Sequence, residues 1–243
     1  MKLIPFITAG HPSPEKFWNV LCELDDNGAD VIEIGVPFTD PVADGPVIEA
    51  ASQQALERGV TLCWILDGLR ERRGTFKAKL VLMGYLNPFL QYGFERLAEE
   101  AEAIGVYGFV IPDLPLDEDA EYRAALRGRG IHLIPLVAPN TSLERMREYA
   151  AVSSGYVYVV SVLGITGERK GGLPDNVRAT LSRARKAFKL PVALGFGFSY
   201  PAQLDAIPPD ERPDAVVFGS ALVRHLSEGG SATEFMRRWI RQA

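Results

Sequence analysis

The sequence predicts a single (β/α)8 TIM barrel over residues 1–243, and three observations carry that expectation. Short apolar runs alternate with longer amphipathic ones about eight times along the chain. The apolar runs lack polar alternation, the pattern of parallel strands buried on both faces. Glycine pairs follow the last three strands, whereas the turn after the first, Thr8-Ala9-Gly10-His11-Pro12, carries no GxGxxG. An open doubly wound sheet places its glycine-rich dinucleotide turn there, so the closed barrel is the better reading.

The elements follow in order. Leu3–Thr8 is an apolar strand, and Ser13-Pro14-Glu15 opens a helix, with an N-cap and proline at its first position, that ends near Asn27-Gly28. Val31–Gly35 is the second strand, followed by helices over Val47–Arg58 and Leu62–Arg72. Leu80–Met83 and Gly108–Ile111 are strands, each followed by a helix, Phe94–Ile104 and Glu118–Arg127. Leu133–Val137 and Tyr156–Val160 precede the helices Ser142–Ala151 and Asn176–Ala187. Val192–Leu194, the short helix Pro201–Ala206, Ala215–Phe218 and a mostly helical Ala221–Arg241 complete the repeat.

Composition narrows the function. At 47% hydrophobic the chain has ample core, and its formal charge of -5 argues against nonspecific attraction to nucleic acid or anionic membrane. No apolar run approaches the roughly 20 residues that span a bilayer, and Pro5 interrupts the start, which lacks the pattern of a secretory signal. A cytoplasmic chain is expected. Cys22 and Cys63 lie in apolar, helix-like segments without CxxC spacing and read as buried reduced thiols. His11, His132 and His225 are far apart with no second ligand beside them, so no metal site is expected.

In a barrel of this kind chemistry comes from the C-terminal ends of the strands and the loops that follow. Three late loops, Gly164-Ile165-Thr166-Gly167, Gly195-Phe196-Gly197 and Phe218-Gly219-Ser220, suit close approach of backbone N–H groups to a phosphate. The second strand ends in Glu33-Ile34-Gly35-Val36-Pro37-Phe38-Thr39-Asp40-Pro41-Val42-Ala43-Asp44-Gly45-Pro46. Glu33 sits inside an apolar run, where burial would raise its pKa and suit it to proton donation; the bland alternative is a charge at the barrel bottom or a sheet edge. Asp40 and Asp44 lie on a stiff, proline-rich loop, and Asp44 has the alternative of capping the next helix.

That segment resembles the signature of the tryptophan synthase alpha subunit family, and the resemblance covers nearly the whole chain. Further matches are Pro5-Phe6-Ile7-Thr8-Ala9-Gly10, Tyr85-Leu86-Asn87-Pro88, Pro112-Asp113-Leu114-Pro115, Ser161–Gly167, Gly195-Phe196-Gly197 and Gly219-Ser220-Ala221. The resemblance implies a lyase that splits indole-3-glycerol phosphate, by retro-aldol cleavage, into indole and glyceraldehyde 3-phosphate. It implies that Glu33 is the acid–base residue, that Asp44 holds the indole N–H, and that Tyr158 orients groups near Glu33. Gly167, Phe196, Gly197, Gly219 and Ser220 match phosphate-binding positions, and Phe6, Met83, Leu136 and Thr166 match the indole pocket.

The family also implies a beta subunit, in an alpha2beta2 tetramer, which holds the pyridoxal phosphate; this chain itself would carry no cofactor. The Pro37–Pro46 loop and Leu86-Asn87-Pro88 would touch that partner, and residues 167–172 would form a lid. Three departures stand out. The first strand begins almost at the initiator, without the usual preceding helix; His11 replaces a common acidic residue; and the segment between Gly167 and Pro174 is slightly short. Rival readings are another phosphate barrel, disfavoured because no lysine stands at a strand end, a free-standing indole lyase, and a noncatalytic activator of the beta subunit.

Overall fold

The computed structural model describes residues 1–160, 173–195, 198–205 and 207–240. Nine parallel strands are seen: β1 (Lys2–Thr8), β2 (Val31–Gly35), β3 (Lys79–Met83), β4 (Gly108–Val110), β5 (His132–Leu133), β6 (Leu136–Val137), β7 (Val157–Val160), β8 (Val192–Gly195) and β9 (Ala215–Phe218). They are ordered β5-β4-β3-β2-β1-β9-β8-β7-β6, every pairing between neighbours being parallel.

The two ends of that order, β5 and β6, are halves of one strand, and this closes the barrel. The single strand expected over residues 133–137 is interrupted at Pro135, which has no N–H to give to the ladder. Its first half pairs with β4 and its second with β7. Across the break, Ile134 N–H donates to the Phe109 carbonyl at 2.9 Å, and the Pro135 carbonyl accepts from Tyr158 N–H at 2.9 Å. Eight staves therefore close on themselves, as the (β/α)8 expectation required.

Successive strand residues face opposite ways, which divides the core in two. Ile4, Val31, Val81, Val110, Ala193 and Val217 pack inside the barrel with Tyr156. Ile7, Ile32, Ile34, Leu82, Phe109 and Val216 belong to the larger outer core beneath the helices. Helix boundaries fall within a few residues of those expected, with three differences. A short helix, Leu86–Tyr92, precedes Phe94–Ile104; Pro88 is tolerated because it lies in the first turn. The expected helix over 118–127 is a 3-10 turn, Leu116–Glu118, then Ala120–Leu126. The C-terminal segment is two helices, Ser220–Ser227 and Ala232–Ile240, parted by Gly229 at φ 89°.

Cys22 is half-buried but Cys63 is exposed, so the expectation that both thiols are buried fails for the second. Cys63 falls outside the stripe formed by Leu62, Ile65, Leu66 and Leu69 that faces the core. Among the described residues no helix is long and apolar enough to cross a membrane.

Aspartates pin the bottom of the barrel. Asp30 accepts from Leu3 N–H at 2.9 Å and Asp214 from Val192 N–H at 2.7 Å. Buried Asp25 accepts from Lys77 N–H at 2.9 Å and Ala78 N–H at 2.6 Å, where the chain enters β3. Replacing Asp25 by alanine would strand both donors, so Asp25→Ala is expected to lower unfolding stability by about 2–3 kcal/mol in urea denaturation.

Candidate active site

Glu33 lies in the middle of β2, in register with Phe6 on one side and Val81 on the other, and so points into the barrel with them. It is completely buried. The Tyr156 hydroxyl donates to its Oε1 at 2.7 Å, while Oε2 has no hydrogen-bond partner among the described residues. Burial raises the Glu33 pKa to about 8, and the bond from Tyr156 opposes that rise only in part. At neutral pH the group is therefore a carboxylic acid with a proton to give. The alternative of a charge at the barrel bottom is excluded by this interior position.

Asp44 is held on the loop between β2 and the helix Pro46–Glu57 by a brace of three side chains. Ser52, buried in that helix, accepts from Phe38 N–H at 2.9 Å and donates to the Phe38 carbonyl at 3.2 Å, fixing the start of the loop. The Phe38 ring packs on Tyr85 with centroids 5.4 Å apart, and the Tyr85 hydroxyl accepts from Ala43 N–H at 2.9 Å. Partial burial raises the Asp44 pKa to about 6, countered by a hydrogen bond with Tyr85. The helix N-cap is Gly45, so the capping alternative for Asp44 does not hold. Asp40 takes a hydrogen bond from Thr39 at the exposed face of the loop, and Asp113 accepts from Leu86 N–H at 2.9 Å at the start of the short helix.

A cavity opens at the mouth of the barrel beside Asp44. Phe6, Met83, Leu136 and Tyr158 line it, as do Gly219 and Ser220. Glu33 lies deeper, and both carboxyls raise the pKa of Tyr158 after burial itself, which places that hydroxyl within reach of their fields. Tyr158, expected near Glu33 in an orienting role, lines the cavity, and the hydrogen bond to Glu33 comes from Tyr156, which the sequence reading did not name. The signal was present in the sequence, because residues two apart on a strand face the same side. Ser52 and the cavity-lining Arg224 also went unnoticed, having no motif of their own, and Tyr85, which lies in a matched segment, was given no role toward Asp44.

The glycines at the mouth make room for rings. A Cβ at Gly219 would come within 2.9 Å of the Phe6 ring, one at Gly35 within 2.5 Å of the same ring, and one at Gly195 within 2.0 Å of Tyr158. The helix Ser220–Ser227 starts at this wall and turns the positive end of its dipole toward the cavity. Buried His11 tethers it, with Nε2 3.1 Å from the Val223 carbonyl oxygen and 3.3 Å from Ser227 Oγ. Thr166, Gly167, Phe196, Gly197 and the lid expected over residues 167–172 lie outside the described residues.

A buried carboxyl on one strand and a second on the loop after it, beside an apolar cavity at the mouth of a closed parallel barrel, define the class of TIM-barrel enzymes. The model of the tryptophan synthase alpha chain family matches residues 1–241, and the chain belongs to that family. It is 65% identical over 237 residues to the tryptophan synthase alpha chain of Nitratidesulfovibrio vulgaris, covering 98% of this chain and 91% of that one. The corresponding protein of Desulfovibrio desulfuricans is 62% identical over 237 residues, with 98% and 92% covered. Among solved structures, a tryptophan synthase complex from Pyrococcus furiosus superposes with a TM-score of 0.86 at 34% identity, covering 99% of this chain and 98% of that one. The alpha subunit from Legionella pneumophila gives 0.84 at 32% identity, with 100% and 93% covered.

The raised pKa of Glu33 has a consequence for stability. Between the ordinary carboxyl range and about 8 the folded protein keeps a proton that the unfolded chain releases, so stability falls as pH rises through that window. Glu33→Gln removes this titration. The variant is expected to exceed the parent in stability by on the order of 3 kcal/mol above pH 8, an advantage that shrinks toward pH 4.5, as read from urea unfolding at each pH.

Proposed function

We propose that the chain cleaves indole-3-glycerol phosphate to indole and glyceraldehyde 3-phosphate, the last stage of tryptophan biosynthesis, and passes indole to a beta subunit. The observation that carries the mechanism is a buried, protonated Glu33 next to a cavity with Asp44 on its wall. In this reading the indole ring lies among Phe6, Met83 and Leu136, with its N–H directed at Asp44. The phosphate lies at the opposite wall, on backbone N–H groups near Gly219 and Ser220, with Gly167, Phe196, Gly197 and Thr166 completing the two ends by family resemblance.

Glu33 gives its proton to indole C3, and the positive charge that develops on the ring is stabilised by the Asp44 carboxylate at the nitrogen. The Glu33 carboxylate left behind then takes the proton of the glycerol hydroxyl beside the ring. As that oxygen becomes a carbonyl, the bond to C3 breaks and its electron pair returns to the ring. Glu33 ends as it began, protonated. Tyr156 orients its carboxyl group throughout, and Tyr158 forms part of the wall at which the glycerol chain bends.

The two pKa values set a window. Asp44 must be ionised, which requires pH above about 6, and Glu33 protonated, which requires pH below about 8. Indole release should follow a bell-shaped profile between those limits, and Glu33→Gln should lower it by at least about 100-fold while the fold is kept. A variant that still released indole at the parent rate would sink the mechanism.

The beta subunit is the expected partner in an alpha2beta2 assembly, with pyridoxal phosphate on the partner and no cofactor on this chain. Support comes from the a2b2 complex of the similar Pyrococcus furiosus structure, which covers 99% of this chain at 35% identity. Apolar Val42, 83% exposed on the Asp44 loop, and Leu90, 49% exposed nearby in the short helix, offer surface for such contact. The cytoplasm is the compartment this reading assigns. Adding the beta subunit should raise indole production; an unchanged rate would favour a free-standing lyase over the coupled enzyme.

A further inference from the structure

Beneath the Asp44 loop lies a second, much smaller void, bounded by Thr8 at the end of β1, Ser52, Asp44 and Tyr85 among its walls. Its volume is about 20 Å³, more than the roughly 10–15 Å³ that one water needs and too little for any fragment of substrate. Thr8 is 2% exposed, and its Oγ1 has no hydrogen-bond partner among the described residues. A buried hydroxyl left in that condition costs about 1–3 kcal/mol.

Neither neighbouring hydroxyl partners it. Ser52 Oγ accepts from Phe38 N–H and gives its proton to the Phe38 carbonyl. The Tyr85 hydroxyl is engaged by Ala43 N–H and by the Asp44 carboxyl. The void is thus lined by both an unpartnered Thr8 and the Asp44 carboxyl, which keeps lone pairs to spare.

We propose that this void binds one water molecule, which accepts from the Thr8 O–H and donates to the Asp44 carboxylate, making Thr8 a positioning residue for Asp44. The water ties a carboxylate carried on a loop to the rigid end of β1, and its hydrogen bond favours the ionised form of Asp44. The importance of this for turnover rests on the proposed role of Asp44 at the indole N–H; the binding of the water does not.

The test uses the full chain and two variants. Thr8→Val keeps the shape and removes the hydroxyl, and Thr8→Ser keeps the hydroxyl. High-resolution crystal structures of the parent and Thr8→Ser should show an oxygen about 2.6–3.2 Å from the residue 8 hydroxyl and from Asp44, and Thr8→Val should lack it. In the indole-release assay Thr8→Val should move the acidic limb of the pH profile up by about half a unit and lower kcat several-fold near pH 6.5, with Thr8→Ser close to the parent. A parent crystal without that oxygen, an unmoved acidic limb in Thr8→Val, or a Thr8→Ser variant as impaired as Thr8→Val would each overturn the proposal. A parent that binds the water yet releases no indole would refute the lyase reading instead.

Discussion

A carboxyl group sealed inside the barrel constrains most of what surrounds it. Glu33 is buried among apolar neighbours, where the ionised form is costly, so the group holds its proton well past the usual carboxyl range. The barrel supplies one polar concession in the described interior, the Tyr156 hydroxyl on Oε1, and leaves Oε2 without a protein partner. More hydrogen bonds to the ionised form would pull the pKa back down toward the usual carboxyl range. The second carboxyl is treated differently. Asp44 is only partly buried and hydrogen-bonded by Tyr85, so it ionises at lower pH than Glu33. Two like groups thus ionise over different pH ranges, because one is sealed on a strand and the other only partly buried on a loop.

The ends of the barrel divide the labour. At the bottom, Asp25, Asp30 and Asp214 take up backbone donors where strands begin. At the mouth, the side chains instead hold the working groups in place: Ser52 the start of the loop, Tyr85 its end, and His11 the helix that starts at Ser220. Stability and chemistry are therefore served by different residues, and the strain of burying Glu33 is carried by a frame anchored elsewhere.

Much of this was legible in the sequence, for physical reasons. Uninterrupted apolar runs mark strands covered on both faces, and a glutamate within such a run has nowhere to point but inward or outward from the sheet. That made Glu33 visible, and the proline-rich loop made Asp44 visible. Phe6, Met83 and Leu136 were placed by family resemblance and do line the cavity. The brace was not legible, since Phe38 and Tyr85 lie in separate matched segments, Ser52 in neither, and the three meet only after folding. The break at Pro135 was readable in principle, because a proline removes a ladder donor, but only the sheet order shows that it falls at the seam where the barrel closes. Cys63 was misplaced because an apolar helix sequence does not say which flank of its stripe meets solvent.

The Phe6 ring has a glycine on either side, Gly35 from the second strand and Gly219 from the last turn, each too close to tolerate a methyl group without movement of the ring. These three residues are spread over most of the chain length, yet none can change size alone. They amount to a single inherited unit: a larger residue at either glycine would have to arrive together with a smaller one at position 6. Widening the barrel at this point therefore needs coordinated changes at three positions far apart in the chain, whereas the Asp44 loop, which also lines the cavity, can be reshaped within one short segment.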